Sequence, residues 1–413
     1  MNPEKSEIPY KPLVIFLFIG IILMVFDFSA NSKQTVFFDV TDFGATGNGK
    51  IKDTPVIQKA IDAASKAGGG TVYFPAGTYL SGGLMLCDHV TLHLEGGSTL
   101  LRSTDLADFP SHSTQFRSFT ERYVHHSLLF AEDLENITIE GRGTIDGQGT
   151  IYRKLNRQFR QRPHIIRFVS CRNIRIRDIT MVNSPFWVQH YLDCDDLVID
   201  GIRVNSYEGL NNDGMDIDCC RNVRVSNCYI HSHDDAIAIK STSDQTSENI
   251  TITNCVLSTA SQGIKLGTES NGGFRNITVT NCTIRKPGLD EKDWDRVPRG
   301  VCAIGMMIID GGFLERINIS NITVRGMDAI LFIRLRNRAR PFLRNLNDPE
   351  LPEFPNAPKA KIGSVRDVHI SNIIARDIGP RGSDITGLPG YPVENISISD
   401  IDINVEGGEC FSG

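Results

Sequence analysis

The sequence has little excess charge and few aromatic residues. Its 43 lysines and arginines are outnumbered by 49 aspartates and glutamates, which gives a formal net charge of −6. A nucleic-acid partner would favour a strongly basic patch, so the charge argues against one. Aromatic residues make up 8% of the chain, whereas glycines number 37. This composition favours many short strands joined by turns, and 413 residues suffice for two ordinary domains or one elongated repeat domain.

The apolar run near the N-terminus is shorter than a membrane span of roughly 20 residues. It extends from Leu13 to Phe26 after two lysines, as in the core of a signal peptide. The following Phe28-Ser29-Ala30 has a bulky residue where signal cleavage prefers a small one, so an uncleaved membrane anchor is the alternative. No cysteine follows the run to indicate a lipoprotein. We expect residues 1–31 to be a signal peptide or membrane anchor, and the protein to be secreted, periplasmic or membrane-anchored.

Ten cysteines in an exported chain would ordinarily indicate disulfides. Cys228, Cys255 and Cys282, however, occupy the same position in successive copies of a repeated unit. This regularity favours a stack of buried thiols over disulfides. Cys219, Cys220 and the remaining cysteines allow too many pairings to assign any.

A short unit of β-branched residues and asparagine recurs along the chain, at intervals of roughly 23 to 27 residues in its middle part. The copies are Asn136–Ile139, Asn173–Ile176, Leu197–Ile199, Asn222–Cys228, Asn249–Cys255, Asn276–Cys282, Ile317–Asn321, Val368–Asn372 and Asn395–Asp400. A fixed period of this length predicts a solenoid. Asparagine at the bends tolerates left-handed backbone. We therefore predict an all-β chain folded as a parallel β-helix, with coils stacked about 4.8 Å apart.

A leucine-rich-repeat solenoid is excluded because no helix-length segment separates the strands. One amphipathic helix is predicted earlier, from Thr54 to Lys66, with Pro55 at its first turn and glycines at 68–70 to end it. We expect this helix to cap the N-terminal end of the β-helix, where an open edge would invite strand addition. Residues 36–413 are then one domain, with long loops at Thr104–Ser127 and Asn337–Lys361.

Two acidic segments, Asn211-Asn212-Asp213-Gly214 and His233-Asp234-Asp235, each run into an alternating strand. They are about one coil apart, so stacking places Asp213 and Asp234 on neighbouring rungs of one face, with Asp235 beside them. Crowded carboxylates repel one another and raise at least one pKa, which suits acid–base catalysis. Aspartates at strand entrances can also simply cap turns, but three in register favour a catalytic site.

Basic residues occupy outward positions of the strands that follow. Ile264 and Leu266 should face inward, which turns Lys265 outward, and the same alternation exposes Arg334 and Arg336. With Lys240 these side chains would form a cationic strip beside the acids. The strip predicts an anionic substrate, and arginine is suited to binding a carboxylate at two points.

The combined motifs resemble glycoside hydrolase family 28, the polygalacturonase-like enzymes of pectin degradation. The resemblance extends over nearly everything from Phe38 onward, and its motifs are Asp42-Phe43-Gly44-Ala45, Asn183-Ser184-Pro185-Phe186-Trp187, Asn211-Asn212-Asp213-Gly214, Asp234-Asp235, Ser261-Gln262-Gly263 and Arg334-Leu335-Arg336. It implies a right-handed, pectin-lyase-like β-helix. It also implies inverting hydrolysis, with Asp234 as general acid and with Asp213 and Asp235 activating water. The uronate would be bound by Arg334 and Arg336.

Three motifs depart from the family pattern. Ser261-Gln262-Gly263 stands where polygalacturonases carry Gly-His-Gly, and Gln262 can hydrogen-bond but cannot carry a proton. Arg336 replaces a lysine and Asn212 replaces a threonine. We therefore expect a divergent member that hydrolyses a uronate-containing polysaccharide, such as a galacturonan, a rhamnogalacturonan or a related acidic glycan.

Further substrate contacts are expected from Asn211, Gln262 and Glu269, and from His190, which aligns one coil before Asp216. His231 and His233 alternate before Asp234, but no third ligand accompanies them, so we expect neither a metal nor another cofactor. We expect a monomer whose partner is the acidic glycan. Two rival functions remain open: a Ca²⁺-dependent polysaccharide lyase of the same architecture, and a non-catalytic glycan-binding β-helix.

Overall fold

The structure is a computed structural model that describes residues 37–122, 125–154, 162–288, 298–338 and 361–405. The predicted signal or anchor segment, and most of the predicted loop Asn337–Lys361, lie outside these residues. Within the described ranges, no helix combines the length and apolar character needed to cross a membrane.

Short strands account for nearly all the regular structure of the described ranges. They are β1 (Phe37–Asp39), β2 (Asn48–Lys52), β3 (Gly70–Phe74), β4 (Gly77–Ser81), β5 (Leu84–Met85), β6 (Val90–Leu94), β7 (Ser98–Arg102), β8 (Ser127–Glu132), β9 (Glu135–Gly141), β10 (Thr144–Asp146), β11 (His164–Val169), β12 (Arg172–Arg177), β13 (Thr180–Val182), β14 (Gln189–Leu192), β15 (Asp195–Asp200), β16 (Arg203–Ser206), β17 (Asp216–Asp218), β18 (Arg221–Ser226), β19 (Tyr229–Ser232), β20 (Ile237–Ser241), β21 (Ser247–Thr253), β22 (Val256–Thr259), β23 (Gln262–Ser270), β24 (Phe274–Arg285), β25 (Cys302–Ile308), β26 (Phe313–Arg325), β27 (Leu331–Leu335), β28 (Ser364–Ile378), β29 (Asp384–Thr386) and β30 (Val393–Val405). The helices are α1 (Thr54–Lys66) and the 3-10 turns Leu106–Asp108, Phe119–Arg122 and Gly149–Lys154.

Ten of these strands form one parallel sheet, which we call the site sheet, in the order β5-β8-β11-β14-β17-β20-β23-β25-β27-β29. The other twenty strands pair in parallel along the rest of each coil. For example, β15 pairs with β12 before it and with β18 after it. Strands inside the stack therefore pair with the equivalent strands of the coils before and after them, and the predicted parallel β-helix is confirmed.

The core is a set of apolar columns that run through the stack. Ile217, Ile239 and Leu266 are in register on successive coils, and all three are fully buried. Full burial of one such side chain contributes about 1.5–3 kcal/mol. Because the strand period is two, the residues between these apolar positions face outward, where they can build a site.

Asparagines mark the bends, as predicted. Asn222, Asn249 and Asn276 all have positive φ, between 55° and 57°. The amide of Asn249 donates to Asn222 at 3.1 Å, and that of Asn276 donates to Asn249 at 2.9 Å. The ladder satisfies side-chain hydrogen bonds at a position where most residues would be strained.

Helix α1 begins and ends at the predicted residues. It carries Pro55 in its first turn and buries Ile57, Ala60, Ile61 and Ala64. It packs against β1 and β3 at the N-terminal end of the described stack. The position agrees with the predicted cap.

The described cysteines are free thiols, and all except Cys87 are buried. Cys255 lies within hydrogen-bonding reach of Cys228 on one side and of Cys282 on the other. Hydrogen bonding with Cys228 and burial raise the pKa of the Cys255 thiol to about 12. The predicted stack of buried thiols is therefore present, and the Cys255 thiol remains protonated at neutral pH.

Candidate active site

Three carboxylates meet where successive coils enter the site sheet. The carbonyl of Asp213 accepts a hydrogen bond from Val188 on the preceding coil at 2.9 Å. The amide of Gly214 donates to the carbonyl of Asp235 on the next coil, also at 2.9 Å. One carboxylate oxygen from each of Asp213, Asp234 and Asp235 lies within 4.8 Å of the others.

The glycine after Asp213 is required by this stacking. A Cβ at Gly214 would lie 2.6 Å from the carbonyl oxygen of Ala236 and would also clash with Ile230. Asn211, two residues before the aspartate, has a positive φ of 53°. The Asn-Asn-Asp-Gly motif is thus a turn that brings the backbones of two coils together and holds Asp213 at the edge of a cavity.

Burial and mutual repulsion raise the pKa values of the acidic groups. Burial, followed by repulsion from Asp216 and Asp234, raises the pKa of Asp213 well above its ordinary value. Burial and repulsion from Asp235 also raise the pKa of Asp234. Burial raises the pKa of Asp216 to about 7, although Lys240 lowers it. Carboxyl groups that keep a proton in mildly acidic solution are available as proton donors.

One buried lysine is shared among several of these acids. The ammonium nitrogen of Lys240 lies 3.2 Å from Asp216 Oδ1, 3.7 Å from Asp213 Oδ2 and 3.8 Å from Glu269 Oε2. It also lies 4.3 Å from the centre of the Trp187 ring. A cation in this position compensates charges that would otherwise be too costly to bury.

A second lysine fixes Asp235. The Lys265 ammonium donates to Asp235 Oδ2 at 2.6 Å. The other oxygen, Oδ1, accepts from the Ser261 hydroxyl at 2.7 Å and from the Gln262 backbone amide at 3.1 Å. Three donors from the next coil therefore hold the Asp235 carboxylate in one orientation.

These groups line a cavity of about 240 Å³, which we call the catalytic pocket. Its lining consists of Phe186, Trp187, Asn211, Asp213, Asp234, Asp235, Lys240, Lys265, Thr268 and Glu269. Seven of the eleven predicted site residues are therefore together: the three aspartates, Asn211, both lysines and Glu269. His190, Gln262, Arg334 and Arg336 do not line it.

The expectation that His190 contacts a sugar is corrected by the structure. His190 pairs with Asp216 in the sheet, as the coil spacing predicted, but its side chain is fully buried. Its Nε2 lies 3.2 Å from Asp218 Oδ2, and the Trp187 ring packs against it with centroids 5.2 Å apart. Trp187 covers the outward side of the strand at this point. His190 therefore points outward from the core but is not exposed to solvent.

The expected side-chain contact of Gln262 with the substrate is corrected as well. Gln262 is 7% exposed, and its side chain fills the space left by the missing side chain of Gly305. Only its backbone amide reaches the site, through Asp235. The residue at the family's histidine position therefore supports a carboxylate here and does not line the catalytic pocket.

Three of the four side chains of the predicted cationic strip are paired with carboxylates of the protein itself. Lys240 and Lys265 are paired with the site's own carboxylates. Arg334 forms a two-point ion pair with Asp384, at 2.8 Å and 2.5 Å, and its guanidinium carbon lies 3.6 Å from the centre of the Phe332 ring. Arg336 is exposed, outside the pocket, and adds attraction to Asp384. The sequence correctly predicted that these basic side chains point away from the core, but it did not predict the carboxylates with which they pair.

Several residues of the site were missed by sequence reasoning. Phe186 and Trp187 stack with centroids 5.0 Å apart and form an apolar wall of the pocket. Arg162, which is buried behind them, donates to Asn211 Oδ1 at 3.1 Å. The pair Phe186-Trp187 lay within a recognised motif and could have been found there. Arg162 belongs to no repeated unit or recognised motif, so nothing in the sequence indicated that it supports the site.

The three clustered aspartates are also near enough to one another to share a cation. Clusters of acidic side chains are common in proteins without a bound metal ion. In this cluster, two lysines already neutralise part of the negative charge. The donor set alone therefore assigns no metal.

Comparisons with known proteins agree with this architecture. Residues 91–291 match the profile of glycosyl hydrolases family 28. A probable polygalacturonase of Vitis vinifera is 34% identical over 240 residues, which cover 55% of this chain and 48% of that protein. An exopolygalacturonase of Zea mays is 28% identical over 215 residues, covering 49% and 48% respectively. The chain thus spans about half the length of the curated relatives it matches.

Among solved structures, an exopolygalacturonase from Thermotoga maritima superposes with a TM-score of 0.68 and 23% sequence identity. The superposition covers 90% of this chain and 88% of that one, and it confirms the right-handed parallel β-helix. The family profile and the plant relatives show that about half of this chain is similar to glycosyl hydrolases family 28 and to polygalacturonases.

Proposed function

We propose that the protein hydrolyses glycosidic bonds in a uronate-containing, pectin-like polysaccharide. The observation that carries the proposal is the meeting of Asp213, Asp234 and Asp235 at the edge of one cavity, with two of their pKa values raised. General acid–base hydrolysis needs one carboxyl that holds a proton and another that accepts one. The family profile and the polygalacturonase relatives support the same reaction class.

In this scheme Asp234 protonates the leaving oxygen, while Asp213 and Asp235 hold and activate the attacking water. Asp234 is the most accessible of the three, whereas Asp213 and Asp235 are 3% and 1% exposed. Asp235 is fixed by three donors, which suits a residue that orients water. Asn211 Nδ2 lies 3.5 Å from Asp234 Oδ2 and positions the acid from the other side.

The stereochemical outcome of the proposed reaction is inversion. Inverting pairs are usually about 6.5–9.5 Å apart, which leaves room for a water molecule. Here the nearest oxygens of the three aspartates lie within 4.8 Å. The inversion therefore rests on the motif resemblance, and the water would bind between Asp213 and Asp235 at the rim of the cluster. Early-time NMR of the released sugar should show the anomer opposite to that of the substrate.

The test of the function is a screen of acidic polysaccharides. Polygalacturonan, methyl-esterified pectin, rhamnogalacturonan and acidic algal glycans are incubated with the protein, and new reducing ends are measured. We expect release from at least one uronate polymer, without ultraviolet-absorbing unsaturated products and without loss in chelator. Unsaturated products abolished by chelator would establish the lyase instead. Binding without turnover on every polymer would establish a glycan-binding β-helix.

The pair Arg334–Asp384 tests where the uronate binds. If Arg334 accepts a substrate carboxylate, Asp384 competes for the same guanidinium. Asp384→Asn should then lower the KM for galacturonan oligomers, and Arg334→Ala should raise it. A partly exposed ion pair contributes about 0–1 kcal/mol, so the effect of Asp384→Asn should be about fivefold at most.

The matched control is Arg366→Ala, which removes an exposed arginine that pairs with Glu315 on another sheet. This variant should leave the KM unchanged. A KM that is unaffected by both Arg334→Ala and Asp384→Asn would show that the ion pair is structural.

We also propose that the protein is exported, because residues 1–31 have the pattern of a signal peptide or membrane anchor. These residues lie outside the described ranges.

A further inference from the structure

An arginine that has no role in the scheme above lies beside the catalytic pocket. Arg338 follows strand β27, and its backbone amide donates to the Ile309 carbonyl of the preceding coil at 2.8 Å. Its side chain is 33% exposed. Backbone pairing therefore fixes the base of this side chain, while the side chain itself remains partly accessible to a ligand.

The Arg338 side chain reaches back toward the acids. Its Nη2 lies 3.6 Å from Oε1 of Glu269, a residue of β23 that lines the catalytic pocket. Strand β23 is two coils before β27 in the site sheet. The other oxygen of Glu269, Oε2, lies 3.8 Å from the Lys240 ammonium. A single glutamate therefore links Arg338 to the cation that the buried acids share.

Arg334 points in the opposite direction along the stack. It pairs with Asp384 on β29, the strand that follows β27 in the site sheet. Strand β29 is farther from the acids than β27 is. Of these two arginines, Arg338 is therefore the one that is held next to the catalytic pocket.

One edge of the Arg338 guanidinium is held by a buried aspartate. Nε donates to Asp310 Oδ1 at 2.9 Å, and Nη2 donates to Asp310 Oδ2. Asp310 is 2% exposed, and its backbone amide donates to the Ser270 hydroxyl at 3.0 Å. A fixed carboxylate that binds the guanidinium at two points holds its plane in one orientation.

The other edge of the guanidinium can take a second carboxylate. Arginine has five N–H donors, and the pair with Asp310 involves Nε and Nη2 but not the two donors of Nη1. At 3.6 Å the contact with Glu269 is longer than a hydrogen bond, so it does not fix that edge. The Nη1–Nη2 edge therefore has the geometry to bind an anionic group at two points.

We propose that Arg338 binds the free carboxylate of the uronate unit that lies next to the catalytic pocket, on the side of the later coils. The Nη1–Nη2 edge receives the carboxylate, while Asp310 keeps the guanidinium oriented. A methyl ester carries no charge and cannot form this pair, so Arg338 distinguishes free from esterified uronate at this unit. The inference rests on the proposed function for the presence of a uronate chain.

Binding measurements separate this contact from catalysis. The Asp234→Asn variant serves as a non-hydrolysing background, and calorimetry gives the Kd for two galacturonate oligomers of equal length, one free acid and one methyl-esterified. Adding Arg338→Ala should weaken binding of the free acid about tenfold and that of the esterified oligomer less than about twofold. Arg338→Lys keeps the charge without the planar fork, and it should bind the free acid more tightly than Arg338→Ala does.

Two controls address folding and overall charge. Arg338→Ala takes a cation away from the buried Asp310. The double variant Arg338→Ala/Asp310→Asn also removes the charge of that carboxylate, and it should show the same loss for the free acid. Arg376→Ala removes an exposed arginine that pairs with Asp402 on another sheet, and it should change neither Kd. Thermal unfolding of each variant shows whether a loss of affinity reflects a loss of fold.

The outcomes distinguish the carboxylate contact from the reaction. Unchanged affinities in Arg338→Ala, or equal losses for both oligomers, would overturn the assignment of Arg338 and leave the hydrolase standing. A wild-type protein that releases no sugar, while binding of the free acid still depends on Arg338, would overturn the hydrolase and leave the carboxylate contact. Absence of binding to both oligomers would overturn the carboxylate contact as proposed.

Discussion

Asp234→Asn is expected to lower kcat by about 10²–10⁴-fold on the substrate that the wild type hydrolyses, because the amide cannot donate the proton that the leaving oxygen needs. Glycan binding should persist, since the amide has nearly the shape of the carboxyl. The variant should also unfold at a temperature no lower than the wild type. Burial disfavours the ionised Asp234, so removing its charge removes a cost of folding.

The pH dependence of this stability follows from the raised pKa of Asp234. An acid whose folded pKa lies above its unfolded value destabilises the fold increasingly as pH rises through that interval. The gain from Asp234→Asn should therefore be largest at neutral pH and vanish in strong acid. Asp196→Asn, at an exposed position on another sheet, is the control and should change neither kcat nor stability. A wild-type kcat in Asp234→Asn would disprove the assignment of the acid.

Lys240→Met is expected to reduce the free energy of unfolding by about 3–5 kcal/mol at pH 7, because it leaves Asp213 and Asp216 buried without their shared cation. Urea unfolding gives the value. The control Lys50→Met changes an exposed lysine and should alter stability by no more than about 0.5 kcal/mol.

Two further measurements make the expectation specific. Lowering the pH from 7 to about 4 should shrink the loss, because protonated carboxyls no longer need the cation. Adding Asp216→Asn should recover a large part of the stability, because it removes the acid nearest to Lys240. Lys240 also lowers the pKa of Asp213, so the acidic limb of kcat/KM should move to higher pH in Lys240→Met. An unfolding free energy equal to that of the wild type would show that the acids do not depend on this lysine.

The fold and the meeting of the acids were determined largely by local pattern. Strand alternation gives the inward direction of Ile239 and Leu266, and the repeat length gives the coil. In a parallel stack, residues that are one repeat length apart in the sequence lie on neighbouring coils. Strand alternation and repeat length together therefore place Asp213 one coil from Asp235. The bounds of helix α1 followed from its apolar spacing, from Pro55 and from the glycines after it.

The partners of the outward side chains were decided only by the tertiary structure. Alternation predicts that Lys240, His190 and Arg334 leave the core, but not what they meet outside it. Lys240 ends among carboxylates, His190 is covered by Trp187, and Arg334 is held by Asp384 fifty residues later in the chain. A long side chain on one coil can contact neighbouring coils and the irregular turns that connect the strands. Packing, rather than the repeat, determines the course of those turns. The sequence therefore determined the stack and its acids, whereas packing between coils decided which charges remain available to a substrate.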